Sequence, residues 1–349
     1  MTLGLQPERV RELSLAIIIA ATTLVFGLFV ENLVSGRFFL RVTAGVAIIA
    51  LLAAAQTLVL VTRNLDLSLG SMVGVTAYLT GEFLASNPDS GPVVAIGLAM
   101  GIGLAMGFLN GTIVAYGRVP AIVVTLGMLA VYRTWLVEHA ESQNITVDTL
   151  PDWLSELSRS TVGGVGDFDI RFSFALAVLV VVVLQFCLGR LQWGRWLYAV
   201  GSHPESARHS GLPVQRVILG AYAAGGALAG LAGFLFLVRF GTITVFAGAG
   251  MELTSVAAAV VGGVSVLGGS GTVLGALLGA FLIDLLNQGL LRVPQVSEFW
   301  RDAILGVLIL IAVTSDFLVG KRLGRRWEPG SRRGAQLETS AERGAIADA

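Results

Sequence analysis

The sequence predicts an all-α polytopic membrane protein of about ten transmembrane helices, packed through glycine, with one short cytoplasmic helix. Three observations lead there. Of 349 residues 55% are hydrophobic and only 13% charged, against about 25% charged in water-soluble domains. Long stretches such as 175–184 are apolar without a break, which excludes the period-two alternation of a membrane β-barrel. The 44 glycines fall largely inside those apolar runs, often four residues apart.

The first run, 13–30, follows Arg9 and Arg11 and stops at Glu31. It is long for the apolar core of a signal peptide and lacks a small-x-small cleavage site, so it reads as an uncleaved first helix. Further spans are expected at 42–61, 67–84, 93–116, 121–137, 172–188, 217–237, 253–267, 273–291 and 299–313, each near the roughly 20 residues that cross a hydrocarbon core of about 30 Å. The second and third are separated only by 62–66. The eighth is short and is broken or re-entrant at Gly262 and Gly263.

Ten spans with an inside start place most of the 23 basic residues in cytoplasmic segments, while the outer segment 138–171 is acidic. Both termini are then cytoplasmic. Residues 1–319 form the membrane domain. The tail 320–349 is expected to be disordered, with its basic start at Lys321 drawn to anionic lipid headgroups.

Lipid gives no hydrophobic drive for helix association, so small residues that let backbones approach become the packing device. Candidate packing residues are Gly97, Gly101, Gly103 and Gly107 in the fourth span, Gly226 with Gly230, and Gly262, Gly263, Gly275 and Gly279 later on.

Catalytic readings find no support. His139, His203 and His209 are scattered, so no metal site is expected from them with the lone Cys187. The only lysine, Lys321, belongs to no phosphate-binding loop, so any ATP must be hydrolysed by another chain. The net charge of zero gives no indication of nucleic acid. Ion-driven carriers place acids within their spans; Asp284, with Asn287 and Gln288 on the same helical face, is thin support for such coupling.

The most informative stretch is the cytoplasmic segment 189–216. Within it, 201–213 reads as a short helix with both ends specified. Ser202 caps the start, Glu205 completes a capping box and Pro204 sits in the first turn, while Gly211 and Pro213 end it. A two-turn helix alone in water is marginal, so it must pack on something. Its small, mixed-charge surface suits a groove in a protein partner better than a lipid interface.

Here the chain resembles the permease subunits of ATP-binding-cassette importers for ribose, xylose, arabinose, galactosides and related small polyols. Glu205, Ala207, Arg208, Ser210 and Gly211 match that family's coupling-helix motif, with His203 and Ser206 at positions where Asn and Ala are usual. Residues 55–59 and Asp66-Leu67-Ser68-Leu69-Gly70 are similar to an early Asp-Leu-Ser-x-Gly signature, with Arg63-Asn64-Leu65 in place of a small, Gly-rich lead-in. Residues 119–128, 257–279 and 287–290 resemble its Pro-led Thr-Leu-Gly segment, its glycine-rich block and its Asn-x-Gly-Leu ending.

The resemblance implies a multi-pass protein of the bacterial inner membrane, with no cofactor of its own. Its partners would be a cytoplasmic ATPase subunit carrying ATP and Mg, a second permease copy or paralogue, and an extracytoplasmic solute-binding protein that delivers a small sugar. Ser202, Glu205, Ala207, Arg208, Ser210 and Gly211 would couple to the ATPase. Candidate pathway residues are Gln56, Thr57, Asp66, Asn110, Thr125, Asp284 and Asn287, groups suited to hydroxyls, with Asp66 either capping the third span or acting as a gate. The rivals are a branched-chain amino-acid importer permease, an ion-coupled sugar carrier and a membrane scaffold.

Overall fold

The computed structural model describes residues 7–29, 35–141, 143–165 and 168–290, and the positions 292, 300, 303, 304, 306, 307, 310 and 314. Residues 1–309 form one unit. Of the second unit, 310–349, only Leu310 and Thr314 are described, both helical. The tail and most of the tenth expected span therefore lie outside the described residues.

Among those residues the helices are α1 (Pro7–Phe29), α2 (Gly36–Leu60), α3 (Leu69–Ser86), α4 (Pro92–Gly117), α5 (Ala121–Ala140), α6 (Asp152–Arg159), α7 (Phe172–Arg190), α8 (Gln192–Ser202), α9 (Pro204–His209), α10 (Val214–Phe240), α11 (Met251–Val261) and α12 (Val273–Leu290). Seven of them, α1, α2, α4, α5, α7, α10 and α12, are long and apolar enough to cross a membrane. The chain is thus an all-α, multi-pass protein.

Two expected crossings differ in character. α3 falls short in hydropathy because it carries Ser71, Thr76, Thr80 and Glu82. It can do so because most of it is buried among α10, α5, α4 and α11, where Ser71 Oγ donates to Leu129 O at 3.0 Å and Thr76 Oγ1 to Met72 O at 2.7 Å. The eighth span is only the 11 residues of α11. It ends at Gly262, followed by Gly263 with φ +98°.

Helix starts follow local chemistry. α2 begins six residues before the expected span because Ser35, in an extended conformation, accepts from Phe38 N–H at 3.3 Å. α4 starts on Pro92, which has no N–H to lose at the first helical position.

α2 and α10 form the centre. α2 is buried along nearly its whole length against α10, α12, α7 and α11, and α10 packs on α4, α2 and α3. The α4–α10 contact is the most extensive and it is built on glycine. A Cβ on Gly103 would overlap Gly226 O, and one on Gly107 would overlap Tyr222 O; Gly226 and Gly230 meet Gly103 O and Ala99 O in the same way. Gly262 lies on Gly275 O, and Gly279 on Ala258 O, where α11 crosses α12. Gly97 and Gly101 meet nothing within 4 Å, so close packing inside the chain does not extend to them. At about 100° per residue, Gly101 lies about 200° around α4 from Gly103.

The segment between α5 and α7, expected outside and acidic, holds α6 and a hairpin of β1 (Thr161–Val165) and β2 (Phe168–Arg171), antiparallel with Gly163 opposite Ile170. It closes one end of the bundle: Trp153 Nε1 donates to Ser90 O at 3.0 Å, and Phe168 packs edge-on against Phe39 at 5.7 Å. α9 lies at the other end.

Candidate functional site

α9 has its C-terminal stop as the sequence specifies it. Gly211 adopts φ +79°, Gly211 N–H donates to Arg208 O at 3.0 Å and Leu212 N–H to Ala207 O at 3.0 Å. These two bonds make the left-handed glycine closure of a helix. Its start differs. Ser202 is the last residue of α8, where its hydroxyl donates back to Tyr198 O at 2.8 Å, and the N-cap position is taken by His203 without a side-chain bond. The amphipathic run Gln192–Ser202 forms a helix of its own, so the proposed capping box from Ser202 to Glu205 does not exist. Pro204 is the first helical residue.

Ala207 is buried and seats α9 on the bundle, whereas Glu205, Ser206, Arg208, His209, Ser210 and Gly211 are exposed. The helix therefore offers Glu205 and Arg208 on a surface that is exposed among the described residues.

α8 and α9 are clamped to two loops. Gly201 stands so close to Val61 O that a Cβ would overlap it. Arg63 Nη2 donates to Ser202 O at 2.6 Å, Gly269 N–H to Val61 O at 2.9 Å, and Tyr198 OH to Gly271 O at 2.8 Å. The loop 262–272 is further tied to the base of α1, with Arg11 Nη1 donating to Gly263 O at 2.9 Å and Thr272 Oγ1 to Glu12 Oε1 at 2.8 Å. The start of α12 is capped from α7, since Gln185 Oε1 accepts from Val273 N–H at 2.9 Å.

The connector 61–68 leads from this clamp into a polar network. Asp66 is fully buried and is not the cap of α3, a position held by Ser68. Its Oδ1 accepts from Ser68 N–H at 2.9 Å and Ser68 Oγ at 2.7 Å. Asn110 Nδ2 donates to Ser68 Oγ at 2.8 Å, and Tyr132 OH to Asn110 Oδ1 at 3.0 Å. Leu65 O accepts from Tyr222 OH at 3.1 Å and Thr125 Oγ1 at 3.3 Å. Burial pushes the Asp66 carboxyl above its ordinary value, and the bonds from Ser68 and Asn110 pull the other way.

Asp66, Asn110 and Thr125 thus meet around one connector, joined by Tyr132 and Tyr222. The other pathway candidates lie elsewhere. Thr57 donates to Ala53 O within its own helix. Gln56 is fully buried with both amide atoms unpartnered, and Asp284 Oδ2 and Asn287 Oδ1 also lack partners. Asp284 lies on α12 against Gly45 of α2, where a Cβ would overlap its carboxylate.

Sequence reasoning overlooked Arg133 and Glu252. Arg133, on α5, donates through Nη1 to Val245 O at 3.0 Å and Ala247 O at 2.6 Å. It thereby holds the non-helical stretch 241–250 inside the bundle, where Gly248 crosses Gly70 so closely that a Cβ on either would clash. Glu252 Oε1 accepts from Gly250 N–H at 3.2 Å, with its charge near Arg133. A lone arginine in the expected span 121–137 was a legible signal, since ionised groups within spans face protein rather than lipid.

A family described as branched-chain amino acid transport system permease component matches residues 38–313. The chain is similar to the autoinducer 2 import system permease protein LsrC of Yersinia pseudotuberculosis, at 35% identity over 83% of this chain and 80% of that one. It is also similar to the fructose import permease protein FrcC of Rhizobium meliloti, at 30% identity over 87% and 85%. LsrC of Yersinia enterocolitica matches at 33% over 88% and 82%. No solved structure matches the chain. With the family pattern running from α2 past α12, and relatives at this identity along most of its length, the chain belongs to this family of importer permeases.

Proposed function

We propose that the chain is the membrane subunit of an ATP-binding-cassette importer that moves a small sugar or polyol into the cytoplasm, using ATP and Mg held by a separate ATPase. The observation that carries this reading is α9: a short helix, closed at Gly211 and seated by Ala207, that follows directly on α8, which is clamped through Arg63 and Gly201, and that presents Glu205 and Arg208 to the outside of the fold. Closure of an ATPase around this helix biases the permease through a contact that differs between its two states. The α9 end is the cytoplasmic one, since Arg11, Arg63, Arg118, Arg190, Arg195 and Arg208 belong to it, and both termini follow to that side. A second permease, identical or a paralogue, and an extracytoplasmic solute-binding protein complete the complex in the bacterial inner membrane.

Of the pathway candidates, Gln56, Asp66, Asp284 and Asn287 keep unpartnered polar atoms; Gln56, Asp284 and Asn287, which lie apart from the connector, are our choice for passing contacts with sugar hydroxyls. Asp66 and Asn110 meet at Ser68 and Thr125 bonds Leu65 O, so these three hold the connector and act as a gate rather than as contacts. The family description raises branched-chain amino acids as cargo. A fructose permease among the relatives and two neutral amides among the three chosen contacts favour an uncharged, hydroxylated solute.

The test is uptake into proteoliposomes holding the permease with its co-purifying ATPase and binding protein, across pentoses, hexoses, polyols and leucine. Reversing Glu205 or Arg208 should leave membrane insertion intact and weaken ATPase docking and substrate-stimulated hydrolysis. Wild-type uptake by those variants would remove α9 from the mechanism. Ion-driven flux through this chain alone would replace the importer with a secondary carrier.

A further inference from the structure

The function of Arg63 is unassigned by any of the foregoing. It has a backbone that argues against arginine and a side chain that argues for it. Its φ is +65°, in the left-handed region where every residue with a Cβ is disfavoured and glycine is at ease. Glycine is also what the resemblance leads one to expect in this lead-in. The strain is retained together with a charge-assisted hydrogen bond, Arg63 Nη2 to Ser202 O at 2.6 Å, which attaches the connector 61–68 to the joint between α8 and α9. Three residues further along the connector lies Asp66, bonded to Ser68, which is bonded in turn to Asn110 and through it to Tyr132.

On the transport reading above, on which this inference rests, we propose that Arg63 is a positioning residue that passes displacement of α9 to the Asp66 network. When α9 is carried by its ATPase, the Ser202 carbonyl moves with α8. The Arg63 guanidinium, exposed and held at that carbonyl, draws the connector with it. Leu65 and Asp66 are bonded to α10, α5 and, through Ser68, α4, so movement of the connector alters how those helices are held to one another. Nothing in this route requires Arg63 to touch the ATPase or the solute.

The left-handed backbone makes the idea testable without the usual risk of unfolding. Arg63→Gly relieves the strain at φ +65° and removes only the guanidinium bond, so the variant should be at least as heat-stable as wild type. The experiment is hydrogen exchange by mass spectrometry on the full permease–ATPase complex in nanodiscs, with and without ATP plus vanadate, which traps the closed ATPase with no solute needed. In wild type, trapping should change exchange both in 203–212 and in 62–70. In Arg63→Gly the change in 203–212 should persist while that in 62–70 falls at least threefold, and Arg63→Lys, which can still donate to the Ser202 carbonyl, should restore most of it.

An undiminished response of 62–70 in Arg63→Gly overturns the relay. So does loss of the response in 203–212, which would make Arg63 part of the docking surface. A wild-type complex whose α9 responds while 62–70 does not would refute the relay and leave the importer reading standing. A wild-type α9 that ignores the trapped ATPase would refute both.

Discussion

The glycine crossing of α4 and α10 allows a prediction in which the same substitution, about 1.7 turns apart on one helix, has opposite effects. A Cβ at Gly107 would overlap Tyr222 O and stand 2.9 Å from the Gly226 Cα, both backbone atoms that cannot swing aside. Carbon pairs are most favourable near about 3.5–4.0 Å, so Gly107→Ala forces the helices apart by roughly 1 Å at their closest point. A gap of about 0.5–1 Å forfeits a quarter to a half of each neighbouring dispersion contact, and overpacking of this kind costs about 1–3 kcal/mol. Gly101→Ala is the control. Its Cβ meets nothing within 4 Å, and alanine is favoured over glycine in a helix by about 1 kcal/mol. The two variants should therefore differ by about 2 kcal/mol in stability, a factor of about 30 in the folded-to-unfolded ratio. Unfolding by dodecyl sulfate in mixed micelles, followed by tryptophan fluorescence, measures the difference. Stabilities within about 0.5 kcal/mol of each other would refute the close-packing argument.

Two further outcomes follow from the buried polar groups. Arg133→Met orphans the carbonyls of Val245 and Ala247 at about 1–3 kcal/mol each, so hydrogen exchange in 243–252 should rise well above wild type; unchanged protection would mean that the stretch is held by packing alone. Gln56→Met replaces a fully buried amide with no partner by an apolar chain of similar length. The thermal midpoint in detergent should rise while uptake falls, and a lower midpoint would show that the amide is bonded in the protein.

The parts legible in the sequence are those governed by residues close together along the chain. The stop of α9 at Gly211 and Pro213 was readable because a left-handed glycine and a following proline act locally. The start was misread because Ser202 followed by Glu205 satisfies a capping pattern whether or not a helix already occupies 192–202; in α8 the same hydroxyl bonds back to Tyr198 O, as serine does inside helices. Glycine spacing pointed to α4 as a packing helix, but could not say which of its two glycine faces meets α10, since that depends on the partner. Asp66 was singled out from its motif, yet the chain of bonds from it through Ser68 and Asn110 to Tyr132 joins residues up to 66 positions apart. α6 and the β1–β2 hairpin gave no sign in composition, because a short polar element at the end of a bundle needs no apolar period.

The scarcity of charge takes on a definite meaning when the non-helical stretches are considered together. Backbone outside a helix inside a membrane protein must find its hydrogen bonds within the protein. In this chain, beside local turn bonds and the Ile145–Ile243 bridge, bonds come from a few polar side chains: Tyr222 and Thr125 on Leu65 O, Arg133 on Val245 O and Ala247 O, Arg11 on Gly263 O, and Arg63 on Ser202 O. Four of the five donors stand on a helix other than the segment they hold, and Arg63 holds the end of α8 from the connector. A helix keeps its own ladder when its neighbours move, whereas each of these junctions changes when a single helix shifts. Segments secured by a few side-chain bonds open at lower free energy than intact ladders. Relative motion of the helices is therefore concentrated at 61–68, 241–250 and 262–272. The first and third of these meet α8 directly, through Val61, Arg63, Gly269 and Gly271, so the short helix that faces outward is joined to the places where the bundle yields most easily.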